Sequence, residues 1–217
     1  MMNDGPRVAI VDYGLGNLFG LGRACDVSGL VSFITSDAES LRTADAVILP
    51  GVGAFKTAMS RLQRGRWVDA IQRTVDDRRL LVGICLGMQL LFESSSEFGR
   101  TDGLGILPGE VVRFPPSTGY ADKVPHIGWN HINPTAPWCD TLLDGIGPGS
   151  EMYFVHSYYV RPTHSQNVLS TTRYGALEYC SSVSSGNIYG FQFHPERSGR
   201  IGLRVFDNIR DRLLAIE

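Results

Sequence analysis

A cysteine, a histidine and a glutamate in two glycine-framed segments have the types needed to cleave an amide bond. Cys85 lies in Leu80–Leu91, LLVGICLGMQLL, where an apolar run of strand length passes into a helix-forming stretch. His194 and Glu196 follow much later, in GFQFHPERSG. A thiol nucleophile, an imidazole that moves protons and a carboxylate that orients the imidazole make a catalytic triad. The sequence therefore predicts covalent catalysis by Cys85, His194 and Glu196.

Glycines frame the cysteine at the spacing of a nucleophile elbow. Gly83 and Gly87 give G-x-C-x-G in place of G-x-S-x-G, and small neighbours let a strained residue project its side chain from a sharp strand-to-helix turn. The N–H groups that begin the helix stabilise a thiolate and an oxyanion alike. Alone, the motif fits a buried structural cysteine equally well. His194 and Glu196, two residues apart on one face of an extended chain, favour the triad.

The elements that must position these residues follow from the apolar pattern. Alternating strands and helices with short connections predict a parallel sheet covered on both faces, with ligands beyond the carboxyl ends of the strands, where Cys85 lies. From Gly103 onward, β-branched and aromatic runs broken by Gly, Pro and Asn predict mostly antiparallel strands, with a loop at Pro115–Asp122. The first four strands are predicted at Arg7–Val11, Leu30–Thr35, Ala46–Leu49 and Leu80–Ile84, with helices after Asn17, from Phe55 and over Trp67–Asp77.

Several segments resemble a known family. GICLGMQLLF and QFHPE resemble the class-I, or triad, glutamine amidotransferases. DYGLGN, LPGVGAF, KVPHIGWN and YFVHSYYV resemble the glutaminase subunits of imidazole glycerol phosphate synthases, and the resemblance runs from about Arg7 to the last helix. It implies a three-layer α/β fold, flavodoxin-like, with a central, mostly parallel sheet flanked by helices and an antiparallel extension. It also implies a single amidotransferase domain over residues 1–217.

The resemblance implies an oxyanion hole on two sides of the thiol. Its first donor is the N–H of Leu86, and its second is at Val52 or Gly53, in the loop after the third strand. Gly51 and Gly53 permit backbone conformations closed to other residues, which suits a loop whose peptide N–H must approach a substrate oxygen. The resemblance also implies that this loop takes part in a conformational change that switches activity on.

The resemblance also implies a glutamine-binding site. Gln89, one helical turn after the thiol, projects from the same side of the helix and occupies the family's glutamine-binding position. Glu97 is expected to bind the substrate α-amino group. The backbone around His156, Ser157 and Tyr158 is expected to contact the glutamine.

The glycines before the first helix do not predict a dinucleotide site. Gly14 and Gly16 suggest a dinucleotide fingerprint, but Phe19 replaces its third glycine, so we reject that interpretation.

Two residues, Asn17 and Arg197, are candidates for contact with a partner subunit. Asn17 is either a helix cap or, by the resemblance, an interface residue as well. Arg197 stands where the family usually has lysine, and it retains the positive charge for an interface ion pair with altered geometry.

Composition narrows the remaining possibilities. With 20 Lys and Arg against 22 Asp and Glu, and no basic block, the 217-residue chain is not expected to bind nucleic acid or an anionic membrane surface. We expect a reduced, cytoplasmic protein without a signal peptide or a membrane span.

The four cysteines form no C-x-x-C pair, and the spacing of His126, His131, His156 and His164 is not that of a metal site. We therefore assign no metal and no cofactor, and we interpret Trp129 and Tyr153 as packing residues.

The resemblance implies hydrolysis of L-glutamine to glutamate and ammonia. A (β/α)₈ cyclase subunit, the partner in a heterodimer, would use the ammonia to form imidazole glycerol phosphate and an aminoimidazole carboxamide ribotide (AICAR) in histidine biosynthesis. Two alternatives stay open. One is a paralogue that supplies ammonia to a sugar amidotransferase in surface-polysaccharide synthesis. The other is a silent scaffold subunit, which the intact triad disfavours.

Overall fold

A computed structural model of the chain describes residues 5–116 and 123–215, so most of the predicted loop at Pro115–Asp122 lies outside the described residues. Its strands are β1 Arg7–Val11, β2 Val31–Thr35, β3 Ala46–Leu49, β4 Leu80–Ile84, β5 Phe92–Ser95, β6 Thr101–Asp102, β7 Leu107–Arg113, β8 His126–Pro134, β9 Ser150–His156, β10 Tyr158–Pro162, β11 Val168–Tyr174, β12 Leu177–Ser185 and β13 Ile188–Phe191. Its α-helices are α1 Leu18–Val27, α2 Phe55–Arg64, α3 Trp67–Asp76, α4 Leu86–Leu90 and α5 Gly199–Leu214, and 3-10 turns lie at Ala38–Thr43, Ser165–Asn167 and Pro195–Arg197.

The centre of the sheet is parallel, with strands in the order β2-β1-β3-β4-β13. This is the flavodoxin-like 2-1-3-4-5 order, in which β13 supplies the fifth strand. Every residue of β3 and β4 is buried, as expected for apolar strands covered on both faces. Because these strands run the same way, their carboxyl ends meet at one edge, and β4 delivers Cys85 there.

The later strands extend the sheet mainly in antiparallel fashion, as predicted. Beyond β13 the order continues through β12, β10, β7, β5 and β6, and β7 and β5 form a parallel pair within this extension. Strands β11, β8 and β9 form a branch from β12. In that branch His126 of β8 lies directly opposite His156 of β9. The extension therefore brings two histidines that are distant in the sequence next to each other.

Side-chain alternation in the central strands builds one core on each face of the sheet. Val8 and Ile10 of β1 pack with α1 and α5, whereas Ala9 and Val11 pack with α2 and α3. This period of two, combined with helices on both faces, makes the three-layer α/β fold that the sequence predicts. Among the residues that the structure describes, no helix is long and apolar enough to cross a membrane.

Candidate active site

Cys85 lies on a strained turn between β4 and α4. Its backbone angles are φ 56° and ψ −111°, which a residue with a side chain rarely adopts. The flanking glycines make the turn possible. A Cβ on Gly83 would lie 2.8 Å from the Gly87 carbonyl carbon, and a Cβ on Gly87 would lie 1.8 Å from the Leu49 carbonyl oxygen. The elbow therefore requires glycine at both positions.

Replacing Gly87 by alanine is expected to destabilise the protein by at least about 1–3 kcal/mol and to abolish activity, because the new methyl group clashes with the backbone of β3. The matched control is Gly22→Ala in α1, where the nearest atom outside the helix to a new Cβ is 3.9 Å away. That substitution should be neutral or stabilising by up to about 1 kcal/mol. Denaturant unfolding of both variants checks the prediction, and equal stability of the two would contradict the steric account.

His194 and Glu196 form the second half of the site. His194 Nδ1 and Glu196 Oε1 are 2.9 Å apart, and both side chains are buried. Because the carboxylate accepts, Nδ1 carries the proton. The other ring nitrogen, Nε2, is buried and has no well-aligned hydrogen bond among the described residues. The His194 ring interacts electrostatically with the Cys85 thiol. The imidazole is thus held by Glu196 and is available to the thiol.

Asn17 contributes to this pair from the far end of the chain. Its Oδ1 accepts from Gly20 N at 3.3 Å, which confirms the predicted cap of α1. Its Nδ2 donates to Glu196 Oε1 at 3.1 Å, so this one carboxylate oxygen accepts from both Asn17 and His194. This contact joins residues 179 positions apart, and neither local sequence contains a signal for it.

The thiol opens into a cleft of about 430 Å³ at the carboxyl ends of the strands. The structure brings together in this cleft every residue that the sequence predicts for the oxyanion hole and for glutamine binding. His194, Glu196 and Asn17 are not part of its lining. The lining comprises Val52, Gly53, Cys85, Leu86, Gln89, Glu97, Pro125, Val155, His156, Ser157, Tyr158 and Arg197.

The loop after β3 packs against the elbow. A Cβ on Gly51 would lie 2.7 Å from Tyr13 Oη and 2.9 Å from Leu86 Cβ, and Tyr13 Oη donates to Pro50 O at 2.8 Å. Gly53 has φ 99°, in the left-handed region. The N–H of Leu86 starts α4 and so has no partner within the helix. The loop after β3 and the first residue of α4 therefore line the same cleft as the thiol.

Comparison with known proteins identifies the family. The model of glutamine amidotransferase class-I matches residues 9–209. Over 201 residues the chain is 47% identical to the imidazole glycerol phosphate synthase subunit HisH of Moorella thermoacetica, covering 93% of this chain and 92% of that one. It is 45% identical to the same subunit of Archaeoglobus fulgidus, covering 93% and 96%. The chain belongs to the class-I glutamine amidotransferases, in the HisH family.

Solved structures of more distant amidotransferases share the fold. PurLQS from Thermotoga maritima aligns with a TM-score of 0.73 at 20% identity, covering 96% of this chain and 99% of that one. A putative GMP synthase subunit from Thermoplasma acidophilum aligns with a TM-score of 0.71 at 17% identity, covering 98% and 96%. The class-I amidotransferase fold predicted from the sequence is therefore confirmed.

The electrostatics of the amidotransferase site favour a charged histidine. Burial alone would lower the pKa of His194, but the negative charge and hydrogen bonding of Cys85, followed by the hydrogen bond and charge of Glu196, raise that pKa to about 10. The imidazolium is therefore stable at neutral pH when it faces a thiolate. Such a pair supplies both the nucleophile and the proton that a departing amine needs.

Glu97 has a structural contact in addition to its place in the cleft. Its Oε2 accepts from the backbone N–H of Phe55 at 2.6 Å, at the start of α2. The N-cap residue of that helix, Ala54, has no side chain that can accept this bond. A carboxylate at a helix N-terminus is favoured by the helix dipole. Glu97 therefore anchors the end of the loop between β3 and α2 as well as lining the cleft.

A buried hydrogen-bond chain supports the junction between β9 and β10, where His156 to Tyr158 lie. Tyr179 Oη lies 3.1 Å from His126 Nδ1 and 3.2 Å from His156 Nε2, and His156 Nδ1 lies 2.8 Å from Tyr158 O. Because the carbonyl only accepts, Nδ1 of His156 carries its proton, Tyr179 donates to His156 and His126 donates to Tyr179. Both ring nitrogens of His156 are thus hydrogen-bonded within the protein, which leaves the backbone of this residue as the part available to a ligand in the cleft.

Burial of these two histidines predicts acid sensitivity. Burial lowers the pKa of His126 to about 4 and that of His156 to about 3, below the unfolded value of 6.5. The unfolded state therefore binds more protons between these values. The part of the free energy of unfolding that these two histidines contribute should be fully present above pH 6.5 and should fall toward pH 4, by at most about 1.4 kcal/mol per pH unit for each histidine.

Urea unfolding of two variants across this pH range checks that prediction. His156→Gln removes a buried titrating group and should flatten the pH dependence, although it lowers the stability at neutral pH. His164→Gln is the matched control, because His164 is exposed. A wild-type stability that does not change between pH 6.5 and 4 would contradict the assignment of neutral, buried imidazoles.

Trp129 and Tyr153, the predicted packing residues, contact each other through their rings, although Trp129 is 54% exposed. Trp129 and Ile127 lie on the outward face of β8, where alternation leaves both uncovered. Arg197 lies over Tyr153, with its guanidinium carbon 4.2 Å from the ring centre, and makes no ion pair within residues 5–116 and 123–215.

Proposed function

We propose that this chain is the glutaminase subunit of an imidazole glycerol phosphate synthase in the cytoplasm, acting as one amidotransferase domain. It hydrolyses L-glutamine and passes the ammonia to a (β/α)₈ cyclase subunit, which forms imidazole glycerol phosphate and AICAR in histidine biosynthesis. The observation that carries the proposal is the strained Cys85 elbow, which opens into a cleft that contains Gln89, together with the buried, hydrogen-bonded His194–Glu196 pair. Family membership agrees with this chemistry.

The reaction proceeds in two halves. Cys85 Sγ attacks the side-chain amide carbon of glutamine, and the oxyanion is held by the N–H of Leu86 and by the Val52–Gly53 loop. His194 Nε2 takes the thiol proton and gives it to the departing ammonia, which leaves a γ-glutamyl thioester. Water, deprotonated by His194, then releases glutamate and regenerates the thiol. Glu196 keeps the imidazole oriented through both halves.

The cyclase subunit is proposed to cover the mouth of the cleft. Two apolar residues on the outward face of β8, Ile127 and Trp129, are 60% and 54% exposed, and Trp129 contacts Tyr153. Arg197 lines the cleft and lies over the same Tyr153 ring, and it has no carboxylate partner in the described part of the chain. A partner that brings an acidic group to Arg197 and buries the two apolar side chains would close the cleft against water. Ammonia would then leave toward the partner.

Glutamate release tests the proposal. The purified chain is assayed with glutamine alone, and then with the cyclase of the same organism and the nucleotide substrate of that enzyme. Strong stimulation in the full mixture, with formation of imidazole glycerol phosphate, is the expected result. No stimulation, with folded protein and a cyclase that is active with ammonium, would contradict it and would favour a different ammonia acceptor.

A further inference from the structure

Gln192 is a fully buried amide that lies between the catalytic thiol and Gln89. It follows β13 in the same segment as His194, and its backbone N–H donates to Ser181 O at 2.9 Å. Its side-chain Nε2 lies 3.8 Å from Cys85 Sγ, and its Oε1 lies 2.9 Å from Gln89 Nε2. No step of the reaction described above uses this residue.

The orientation of both amides follows from one backbone carbonyl. Tyr158 O can only accept, so the Gln89 atom 3.0 Å from it must be the amide nitrogen. The second N–H of that nitrogen points to Gln192, whose facing atom must then be the oxygen Oε1. The amide nitrogen of Gln192 is therefore the atom that faces Cys85 Sγ.

We propose that Gln192 is a catalytic residue that donates a hydrogen bond to the Cys85 thiolate, an inference that rests on the proposed glutaminase function. Besides His194, Val155 O lies near the sulfur, at 3.9 Å, and it accepts from the thiol but repels its anion. When the thiol proton passes to His194 Nε2, the contact with Val155 loses its favourable part. The contact with Gln192 becomes a charge-assisted hydrogen bond.

The pH dependence of Cys85 alkylation by iodoacetamide tests the inference in Gln192→Met and Gln192→Glu, with the modified peptide measured by mass spectrometry. Methionine removes the donor at similar volume, and the pH midpoint should rise by about one unit, which is about tenfold less thiolate at a given pH. Glutamate keeps the shape and the acceptor for Gln89 but opposes the thiolate, so its midpoint should rise further. The matched control is Ser181→Ala on β12, equally buried and without a contact to Sγ.

The glutaminase rate gives a second measurement. In Gln192→Met the turnover of the complex with the cyclase should fall about tenfold near neutral pH and recover at higher pH, whereas a purely structural defect would persist at all pH values. Alkylation midpoints of both variants equal to that of the wild type, in proteins that melt cooperatively, would overturn the inference.

Alkylation requires neither glutamine nor a partner, so the two proposals fail separately. Shifted midpoints without glutamate release in the wild type would leave the thiolate contact intact and contradict the proposed function. Glutamate release with unshifted midpoints would contradict the role of Gln192 alone.

Discussion

Cys85→Ala is expected to lower glutamine hydrolysis by about 10⁴-fold or more while leaving the fold and complex formation intact. The reason is that the side chain removed is the one that forms the covalent intermediate, whereas the oxyanion donors and the cleft remain. The sulfur lies at a buried turn, and its hydrogen-bond contacts with Val155 and Gln192 are long, at 3.9 and 3.8 Å, so its loss should disturb the fold little. Glutamate release by the complex with the cyclase is the measurement.

Ammonium salts provide the control for this variant. The complex that contains Cys85→Ala should still form imidazole glycerol phosphate when ammonia is supplied directly, because the cyclase is unchanged. Cys139→Ser, at an exposed cysteine, should behave as the wild type with glutamine. Glutamate release by Cys85→Ala near the wild-type rate would show that another group is the nucleophile.

Glu196→Gln is expected to lower the turnover with glutamine by about 10³–10⁴-fold. The carboxylate oxygen Oε1 accepts from both His194 Nδ1 and Asn17, whereas Oε2 is buried without a hydrogen-bond partner among the described residues. An amide can keep both bonds only by burying an unpaired NH₂ at the Oε2 position, so it should hold the imidazole less firmly. The positive charge of His194 also loses the carboxylate that, after Cys85, helps to raise its pKa. Steady-state glutamate release across a range of pH gives both effects.

The matched control for this carboxylate is Glu178→Gln. Glu178 accepts from Thr171 Oγ1 at the surface, far in sequence from the triad, and its replacement should leave turnover unchanged. A Glu196→Gln variant with wild-type turnover would mean that His194 needs no orienting carboxylate, contrary to the geometry. Unchanged unfolding by urea in both variants would show that the loss is chemical.

Local patterns were sufficient to predict the parallel half of the fold and the reacting groups. The strands Ala46–Leu49 and Leu80–Ile84 have the predicted bounds, because uninterrupted apolar runs of strand length next to glycines and charged turns leave few alternatives. The elbow could be predicted for a similar reason, because neighbouring backbone atoms leave no room for a side chain at Gly83 or Gly87. Structure that depends on short-range steric rules can therefore be predicted from local sequence.

Contacts between distant segments were not predictable in the same way. Three such contacts support the site: Asn17 donates to Glu196, Gln192 lies between Gln89 and the thiol, and Tyr179 bridges His126 and His156. Each joins segments that are distant in the sequence, and no local pattern predicts which distant segments meet. For Gln192 the available signal was a polar residue between two phenylalanines, in GFQFH, because a buried polar group requires a partner. Tyr179 follows a charged residue in LEYCS and carries no such signal.

The central claim is that Cys85 forms a γ-glutamyl thioester during glutamine hydrolysis. Its most direct test is acid quenching of the complex during turnover with glutamine and the cyclase's nucleotide substrate, followed by mass spectrometry of the peptides. We expect a glutamyl adduct on the peptide that contains Cys85, and none in His194→Asn, which lacks the proton carrier for departing ammonia. Glutamate release by the wild type with the adduct on another residue, or with no adduct under conditions that stabilise thioesters, would contradict the account.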